Sequence, residues 1–447
     1  MEVVCPIDTQ FAHQISFLLE PPSPLQVQEY FDELITSKQC DGIQVKPTNN
    51  YGKGVYADMD FEEGGLVLKD QMLVGMQHSS NKIDCLVCGC CFCFIGSTEI
   101  QIGRKLFLQG LGSPKDVCFN EKLESLMHEK LELPYSKKFP LPGVINCPGG
   151  CKEVYYCSKS CAQTDWDFCH SLLCTGEGSS NKALSKFIQH ANETNDIFLL
   201  AAKAISCTIL KYRKLKAACD NETDKEKNHL SDLLGDHSFG LLLKAWNPLL
   251  MGYKRRWWDC VALPDDVDVS DEDSFRMQIR LLAFESLELL KAAILDEECL
   301  PLFSLEIYGH LIGMFELNNL DLVVASPVED YFLYINDLPE AEKKEIDEIT
   351  QPFLDALGED YSACCQGTAF FPLQSCMNHS CCPNAKAFKR DEDRDGQATI
   401  IACKPIKKGE EVTISYIDED LELEERQALL ADYGFICKCP RCVNGEV

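Results

Sequence analysis

SCMNHSCCPNA, residues 375–385, places an Asn-His pair and three cysteines within eleven residues. A loop that only turns would use Gly, Asn, Asp and Pro and has no need of thiols. Their purpose lies at the far end of the chain, where GFICKCPRC supplies Cys437, Cys439 and Cys442. Three thiolates are one short of a closed tetrahedral zinc site. Cys381 can be the fourth, so that a metal pins the Asn378–His379 bend to the tail. The alternative is three unmetallated thiols, a reactive liability inside a cell.

A second cysteine field covers residues 85–174. Cys85-x2-Cys88, Cys147-x3-Cys151, Cys157-x3-Cys161 and His170-x3-Cys174 give seven cysteines and one histidine, enough for two four-coordinate zincs. Short spacings let two ligands of one turn reach one metal, and the second pair ties a distant loop to it. CLVCGCCFC offers several registers, so Cys90/Cys93 competes with Cys85/Cys88 as the first pair. Reduced, buried cysteines without metal are the plainer reading of a single pair, but four ordered pairs favour zinc.

The 27 cysteines accompany an N-terminus, MEVVCPIDTQFAHQ, without the basic region of a signal peptide. Reduced thiols and metal ligands are therefore expected before disulfides. No apolar run is long enough to span a bilayer. The formal net charge is −29. That argues against direct DNA binding and fits either basic protein tails as partners or solubility alone.

The 447 residues are enough for two or three domains. Residues 1–41 read as a helical lead-in, with a helix starting at Ser23-Pro24. Residues 42–84 carry short β runs such as GVYADMD. Helical periodicity fills much of 175–360, β character returns over 361–420 in ATIIACKPI and EEVTISYI, and 421–447 hold a last helix and the tail cysteines. KRRWW (254–258) reads as a local surface or packing feature rather than a nucleic-acid patch, given the overall charge.

Several stretches resemble known families. CPGGCKEVYYCSKSCAQTDWDFCHSLLC is similar to the later part of a MYND zinc finger. That resemblance implies two interleaved zincs: Cys85, Cys88, Cys157 and Cys161 at one, Cys147, Cys151, His170 and Cys174 at the other. Cys147 and Cys151 are separated by three residues where two are usual, and residues 89–146 split the finger. YGKGVYA (51–57), NHSCCPNA (378–385), KKGEEVTISYID (407–418) and DYGFICKCPRC (432–442) resemble, in order, the motifs of SET-domain lysine methyltransferases with a post-SET zinc. Together they resemble the SMYD (SET and MYND) family, in its short-tailed branch and the plant trithorax-related SET proteins.

The resemblance implies an α+β fold: a β-rich SET domain interrupted by a MYND-type zinc finger (85–174) and a helical insert, then a post-SET zinc segment. It implies a protein-lysine N-methyltransferase using S-adenosylmethionine, with three zincs. The expected substrates are basic tails such as histone H3, and non-histone proteins stay open. Protein partners at the finger, a monomeric state and a role in the nucleus, with the cytoplasm left open, are further implications. The rival is a MYND-based scaffold with a silent SET fold.

By the same resemblance Tyr416 stands beside the methyl group and orients the amine, and Tyr433 lines the lysine channel. Gly52, Lys53, Gly54, Asn378 and His379 face the cofactor, Phe435 flanks its adenine, and Asn318 is the contact from the insert. Tyr51 stands where the family has Arg, Leu320 where it has Phe, and Phe371 is expected in the channel wall. The chemistry needs a neutral amine. Free lysine has a pKa of about 10.4, so deprotonation near neutral pH costs about 4.6 kcal/mol. A narrow apolar channel lowers that cost, and alignment supplies the rest.

Overall fold

A computed structural model describes residues 4–48, 52–110, 117–176, 182–221, 237–264, 267–390 and 392–444. Tyr51 and most of the polar run NETDKEKNHLSD lie outside the described residues. The strands, in chain order, are β1 (Ile43–Thr48), β2 (Gly52–Ala57), β3 (Leu66–Asp70), β4 (Val74–Gln77), β5 (Ile145–Asn146), β6 (Tyr155–Tyr156), β7 (Asn319–Val324), β8 (Cys365–Phe370), β9 (Asn378–His379), β10 (Ala385–Ala387), β11 (Ala398–Ala402) and β12 (Glu411–Ile414). They form sheets ordered β1-β2-β12-β9, β10-β11-β3 and β4-β8-β7, with β5-β6 as a separate ladder. Each three- or four-stranded sheet joins strands from both ends of the sequence, so the β-rich unit closes only after the long inserts have been traversed.

Helix Pro24–Lys38 begins as the sequence indicates. Ser23 and Gln26 form a reciprocal capping box, Pro24 sits at the first turn, and Gln39 ends the helix in left-handed backbone. Its buried Val27, Phe31 and Ile35 share a core with Val45, Val55, Ile400 and Val412. Fully burying side chains of this size stabilises by roughly 1.5–3 kcal/mol each. The earlier helix Ala12–Leu19 turns elsewhere. Ile15 and Leu18 join the helical core, and Trp246 Nε1 donates to the Leu18 carbonyl at 2.8 Å. The lead-in is thus shared between the sheets and the helical body.

Asp70, at the end of β3, positions the loop that carries the opening motif. Its buried carboxylate accepts from Lys38 Nζ at 2.7 Å and from the backbone N–H groups of Leu373 and Gln374 at 2.7 and 3.0 Å. The chain is thereby anchored just before Met377 and Asn378.

The helical body is built around buried Phe198, Trp246, Trp257 and Tyr308. KRRWW contributes to it: Trp257 and Trp258 are buried, and Arg256 pairs with Glu306 at 2.8 Å. The residues splitting the finger also have a structural place. Ile102, Leu106, Leu123 and Leu126 share a cluster with Tyr331, Phe332 and Phe353. Helices Thr98–Leu108 and Val117–Met127 thus pack on Pro327–Asn336 and Glu340–Leu357. No helix among the described residues is long and apolar enough to cross a membrane.

Candidate active site and metal centres

β9 and β12 run parallel, pairing Thr413 with Asn378 and Ile414 with His379. This register brings the Asn-His bend beside Tyr416. The Tyr416 backbone N–H donates to His379 Nδ1 at 3.0 Å, and its hydroxyl donates to the Met377 carbonyl at 2.6 Å. Its ring centroid lies 5.2 Å from Tyr433, 5.4 Å from His379 and 6.4 Å from Phe435. Burial, with Tyr433 alongside, pushes the Tyr416 phenol above its ordinary pKa, so the hydroxyl stays protonated at working pH.

A cavity of about 220 Å³ opens against this cluster. Tyr416, Tyr433, Met377, Ile414, Leu317 and Leu320 give it aromatic and aliphatic parts of its lining, while Asn318, Gln374, Ser375 and Ser415, with the carboxyls of Glu316 and Asp321, make the rest polar. Burial pushes the Glu316 carboxyl up. Leu320, where the resemblance predicts Phe, is part of this wall. Phe371 is not: it is buried with Cys85, Phe92 and Cys365, in a core behind β8.

The glycine motif lies on β2, next to β12. Asn378 Nδ2 donates to the Lys53 carbonyl at 3.1 Å and to Glu411 Oε1 at 2.7 Å. A Cβ on Gly54 would meet Glu411 Oε1 at 2.6 Å and Asn378 Nδ2 at 3.0 Å. The motif therefore needs a residue without a side chain there, and the bare backbone forms a cradle beside Asn378. Gly54→Ala is expected to cost about 1–3 kcal/mol of stability through overpacking and to weaken S-adenosylmethionine binding. Chemical denaturation and calorimetric titration measure the two effects. Lys53 Nζ turns away, to the Met251 carbonyl at 2.5 Å. Asn318 Nδ2 donates to the carbonyls of Tyr253 and Met314 at 2.8 and 2.7 Å. Its amide nitrogen is thus engaged by the protein, which leaves its carbonyl oxygen for any ligand.

Among the described residues, three groups of sulfur and nitrogen ligand atoms converge, each with its atoms within 4.8 Å of one another. Cys381, Cys437, Cys439 and Cys442 form the group at the tail. Cys147, Cys151, His170 and Cys174 form the second. Here the extra residue of CPGGC is absorbed by Gly149, where a Cβ would strike Cys174 Sγ at 2.5 Å and the Trp166 ring. A wide π turn over Trp166–His170 brings His170 Nε2 to 3.4 Å from Cys151 Sγ.

The third group is Cys88, Cys91, Cys157 and Cys161, and it corrects the sequence reading. Cys85 is outside it. The Cys85 thiol donates to the Ala363 carbonyl at 3.5 Å and sits in an apolar cluster with Val87, Phe94 and Cys365. Cys91 takes its place because a tight turn, closed by Phe92 N–H to the Cys88 carbonyl at 2.8 Å, returns its thiol beside Cys88. A bridge between Cys88 and Tyr155 holds this turn against the finger. Ser158 caps the next helix by accepting from the Cys161 N–H, leaving Cys157 and Cys161 Sγ 3.4 Å apart. The ligand pair of CLVCGCCFC is therefore an intermediate register, neither Cys85/Cys88 nor Cys90/Cys93.

The donor sets fit zinc. A tetrahedral centre with Zn–S of about 2.3 Å has sulfurs about 3.8 Å apart. The observed separations include 3.6 Å for Cys91–Cys157, 3.7 Å for Cys147–Cys174, and 3.9 and 3.5 Å from Cys381 to Cys437 and Cys442. Cys91→Ala is expected to lower bound zinc from three to two per chain, and Cys85→Ala to leave three; elemental analysis decides between them.

Comparison with known proteins settles the family. Residues 52–417 match the SET domain. The chain belongs to the SET-domain family. Histone-lysine N-methyltransferase ATXR2 of Arabidopsis thaliana is 61% identical over 99% of both chains. Protein-lysine N-trimethyltransferase SMYD5 of Homo sapiens is 23% identical over 88% of this chain and 84% of its own. A SET and MYND domain-containing protein of Dictyostelium discoideum is 44% identical over 18% of this chain and 20% of its own. This SET protein is an α+β protein-lysine N-methyltransferase that uses S-adenosylmethionine and carries three cysteine-rich zinc-binding groups.

Sequence reasoning missed residues of both the finger and the SET site. Cys91 was hidden by the competing registers. Glu411 belongs to the quoted GEE motif, and its partner, Asn378, could have been sought across the β12–β9 pair. The Met377 carbonyl and the Tyr253 carbonyl left no signal, because backbone acceptors do not depend on residue type.

Proposed function

We propose that this methyltransferase acts on lysines of basic, unstructured protein tails, with the histone H3 tail as its first substrate and chromatin in the nucleus as its setting. The observation that carries this reading is the Tyr416 hydroxyl, held on the Met377 carbonyl and facing a cavity whose lining includes Glu316 and Asp321. The two acids favour entry of a lysine cation. Beside Tyr416 and Tyr433 the aromatic and aliphatic parts of the lining disfavour the charged ammonium and favour a neutral amine. Tyr416 and the Met377 carbonyl then orient that amine, and Tyr433 limits the space beside it, which sets how many methyls fit. S-adenosylmethionine, when bound, supplies the methyl on a sulfonium. Gly52, Lys53, Gly54, Asn378 and His379 form its cradle, Phe435 covers its ring system, and Asn318 borders it.

In this reading the chain works as a monomer, residues 42–84 and 361–420 form the catalytic unit, and the finger docks protein partners. The three cysteine groups hold one zinc each. The similarity to ATXR2, named as a histone-lysine methyltransferase, supports the substrate class. The test is labelled-methyl transfer to histone octamers and to H3-tail peptides with each lysine in turn replaced by Arg. Label on H3, abolished by one replacement, is expected. Label only on non-histone proteins would overturn the histone assignment and leave the enzyme class untouched.

A further inference from the structure

Lys254 opens the KRRWW stretch but stays out of its packing. Trp257 and Trp258 are buried in the helical body and Arg256 pairs with Glu306, whereas Lys254 turns back along the chain. Its Nζ donates to the Leu250 and Gly252 carbonyls at 2.9 and 2.8 Å. The carbonyl between them, that of Met251, accepts from Lys53 Nζ at 2.5 Å. Two ammoniums, one from the glycine motif on β2 and one from the helical insert, thus meet at three successive carbonyls where helix His237–Leu250 ends. The same segment borders the other parts of the cofactor cradle. The Tyr253 carbonyl accepts from Asn318 Nδ2 at 2.8 Å, and a Cβ on Gly434, the residue before Phe435, would lie 3.6 Å from Arg255 Nη1.

The charges at this point do not balance. A helix C-terminus carries roughly half a negative charge, against two ammoniums. Capping the helix accounts for the contacts with its carbonyls but not for a second cation placed beside the first. The charged neighbour that bears on Lys254 is Lys53, and together with burial it pushes the Lys254 ammonium down to about 7. The acids of the surrounding site serve elsewhere: Glu411 accepts from Asn378, and Glu316 and Asp321 line the Tyr416 cavity. An ammonium has three N–H donors. The two carbonyls take two of those on Lys254, which leaves one for a further acceptor.

We propose that Lys254, with Lys53 beside it, receives the carboxylate of the methionine half of S-adenosylmethionine. Of the cofactor's charged groups, a sulfonium, an ammonium and a carboxylate, only the carboxylate is negative, and the paired lysines are the part of the cradle that suits it. An ion pair there is charge-assisted and hydrogen-bonded, the strong kind. The inference rests on the cradle proposed above and adds to it a residue of the helical insert. It also gives the insert a part in cofactor selection: a nucleoside sulfonium without the carboxylate would leave two ammoniums facing each other uncompensated.

The test is calorimetric titration of the full zinc-loaded chain with S-adenosylmethionine and with its decarboxylated form, which differ only in that carboxylate. The parent is expected to bind S-adenosylmethionine about tenfold or more tighter than the decarboxylated form. Lys254→Gln keeps an N–H donor for the helix carbonyls and loses the charge. It should weaken S-adenosylmethionine by about tenfold or more without weakening the decarboxylated form, at unchanged zinc content. Lys53→Gln is the second variant, with the same selective loss expected. Equal affinity of the parent for the two ligands would overturn the proposal. So would a Lys254→Gln chain that loses both ligands to the same extent, which would confine Lys254 to holding the helix end. A parent that binds neither ligand would overturn the cradle itself, and this inference with it.

Discussion

Tyr416→Phe is expected to lower kcat for lysine methylation by about 100-fold or more, with S-adenosylmethionine affinity and zinc content unchanged. The expectation rests on what the variant keeps. The backbone N–H of residue 416 still reaches His379 Nδ1, and a phenyl ring still packs beside Tyr433, His379 and Phe435. Only the hydroxyl is lost, leaving the buried Met377 carbonyl unpartnered at a cost of about 1–3 kcal/mol. In the proposed reading its absence removes one of the two oxygens that orient the amine. Misplacing a reacting atom by about 1 Å costs on the order of 100-fold. The phenol is not the base: burial raises its pKa, and the amine must lose its proton to solvent before or during entry. Tyr433→Phe keeps Tyr416 in place and should cost far less rate while changing the number of methyls added, which mass spectrometry of the product reads directly. Turnover of Tyr416→Phe within threefold of the parent would remove the hydroxyl from the chemistry.

The gathering of the Asn-His bend with its aromatic neighbours was legible because residue types carry it. Asn378, His379, Tyr416, Tyr433 and Phe435 are distinctive side chains within short motifs, and the structure gathers them around two paired strands. The tail group of four cysteines was legible for the same reason: CxCxxC has one register. CLVCGCCFC has several, and choosing Cys91 over Cys85 depends on a turn closed by backbone hydrogen bonds, which spacing does not encode. Residues 89–146 were opaque in a different way. Their helices bury Ile102 and Leu126 against Tyr331 and Phe353, more than two hundred residues later, and a periodic apolar stripe does not say which stripe it meets. KRRWW was legible as a packing feature: its tryptophans belong to the helical core.

Cys439→Ser is expected to remove one zinc per chain, abolish thermal stabilisation by S-adenosylmethionine and bring methylation below detection, while the helical body melts close to its parent temperature. The link runs through His379. Its Nδ1 accepts from the Tyr416 N–H, so the ring's single proton is on Nε2, 3.2 Å from Cys381 Sγ. Burial, with Arg426 nearby, pushes the imidazole pKa down to about 4, which keeps the ring neutral and this tautomer defined. A metal-held thiolate is a fixed acceptor for that proton, whereas a free thiol rotates and can donate instead. The four-thiolate centre with zinc carries a formal charge of about −2, and buried Arg426, with Nη2 4.0 Å from Cys442 Sγ and Nη1 on the Leu421 carbonyl, offsets part of it. Apart from the metal, the core at the tail is small: among the described residues, Leu430 is its one buried member that is not a cysteine. Structural zinc contributes about 10–16 kcal/mol to folding in small metal-bound units, as much as a whole domain's net stability. Without it Tyr433 and Phe435 lose their fixed positions, and the cofactor cradle loses one wall. Arg426→Met should raise the chelator sensitivity of this zinc without emptying it, a graded effect that competition with a coloured chelator can follow. Full cofactor-induced stabilisation in a Cys439→Ser chain that has lost its tail zinc would show that the bend holds its shape unaided.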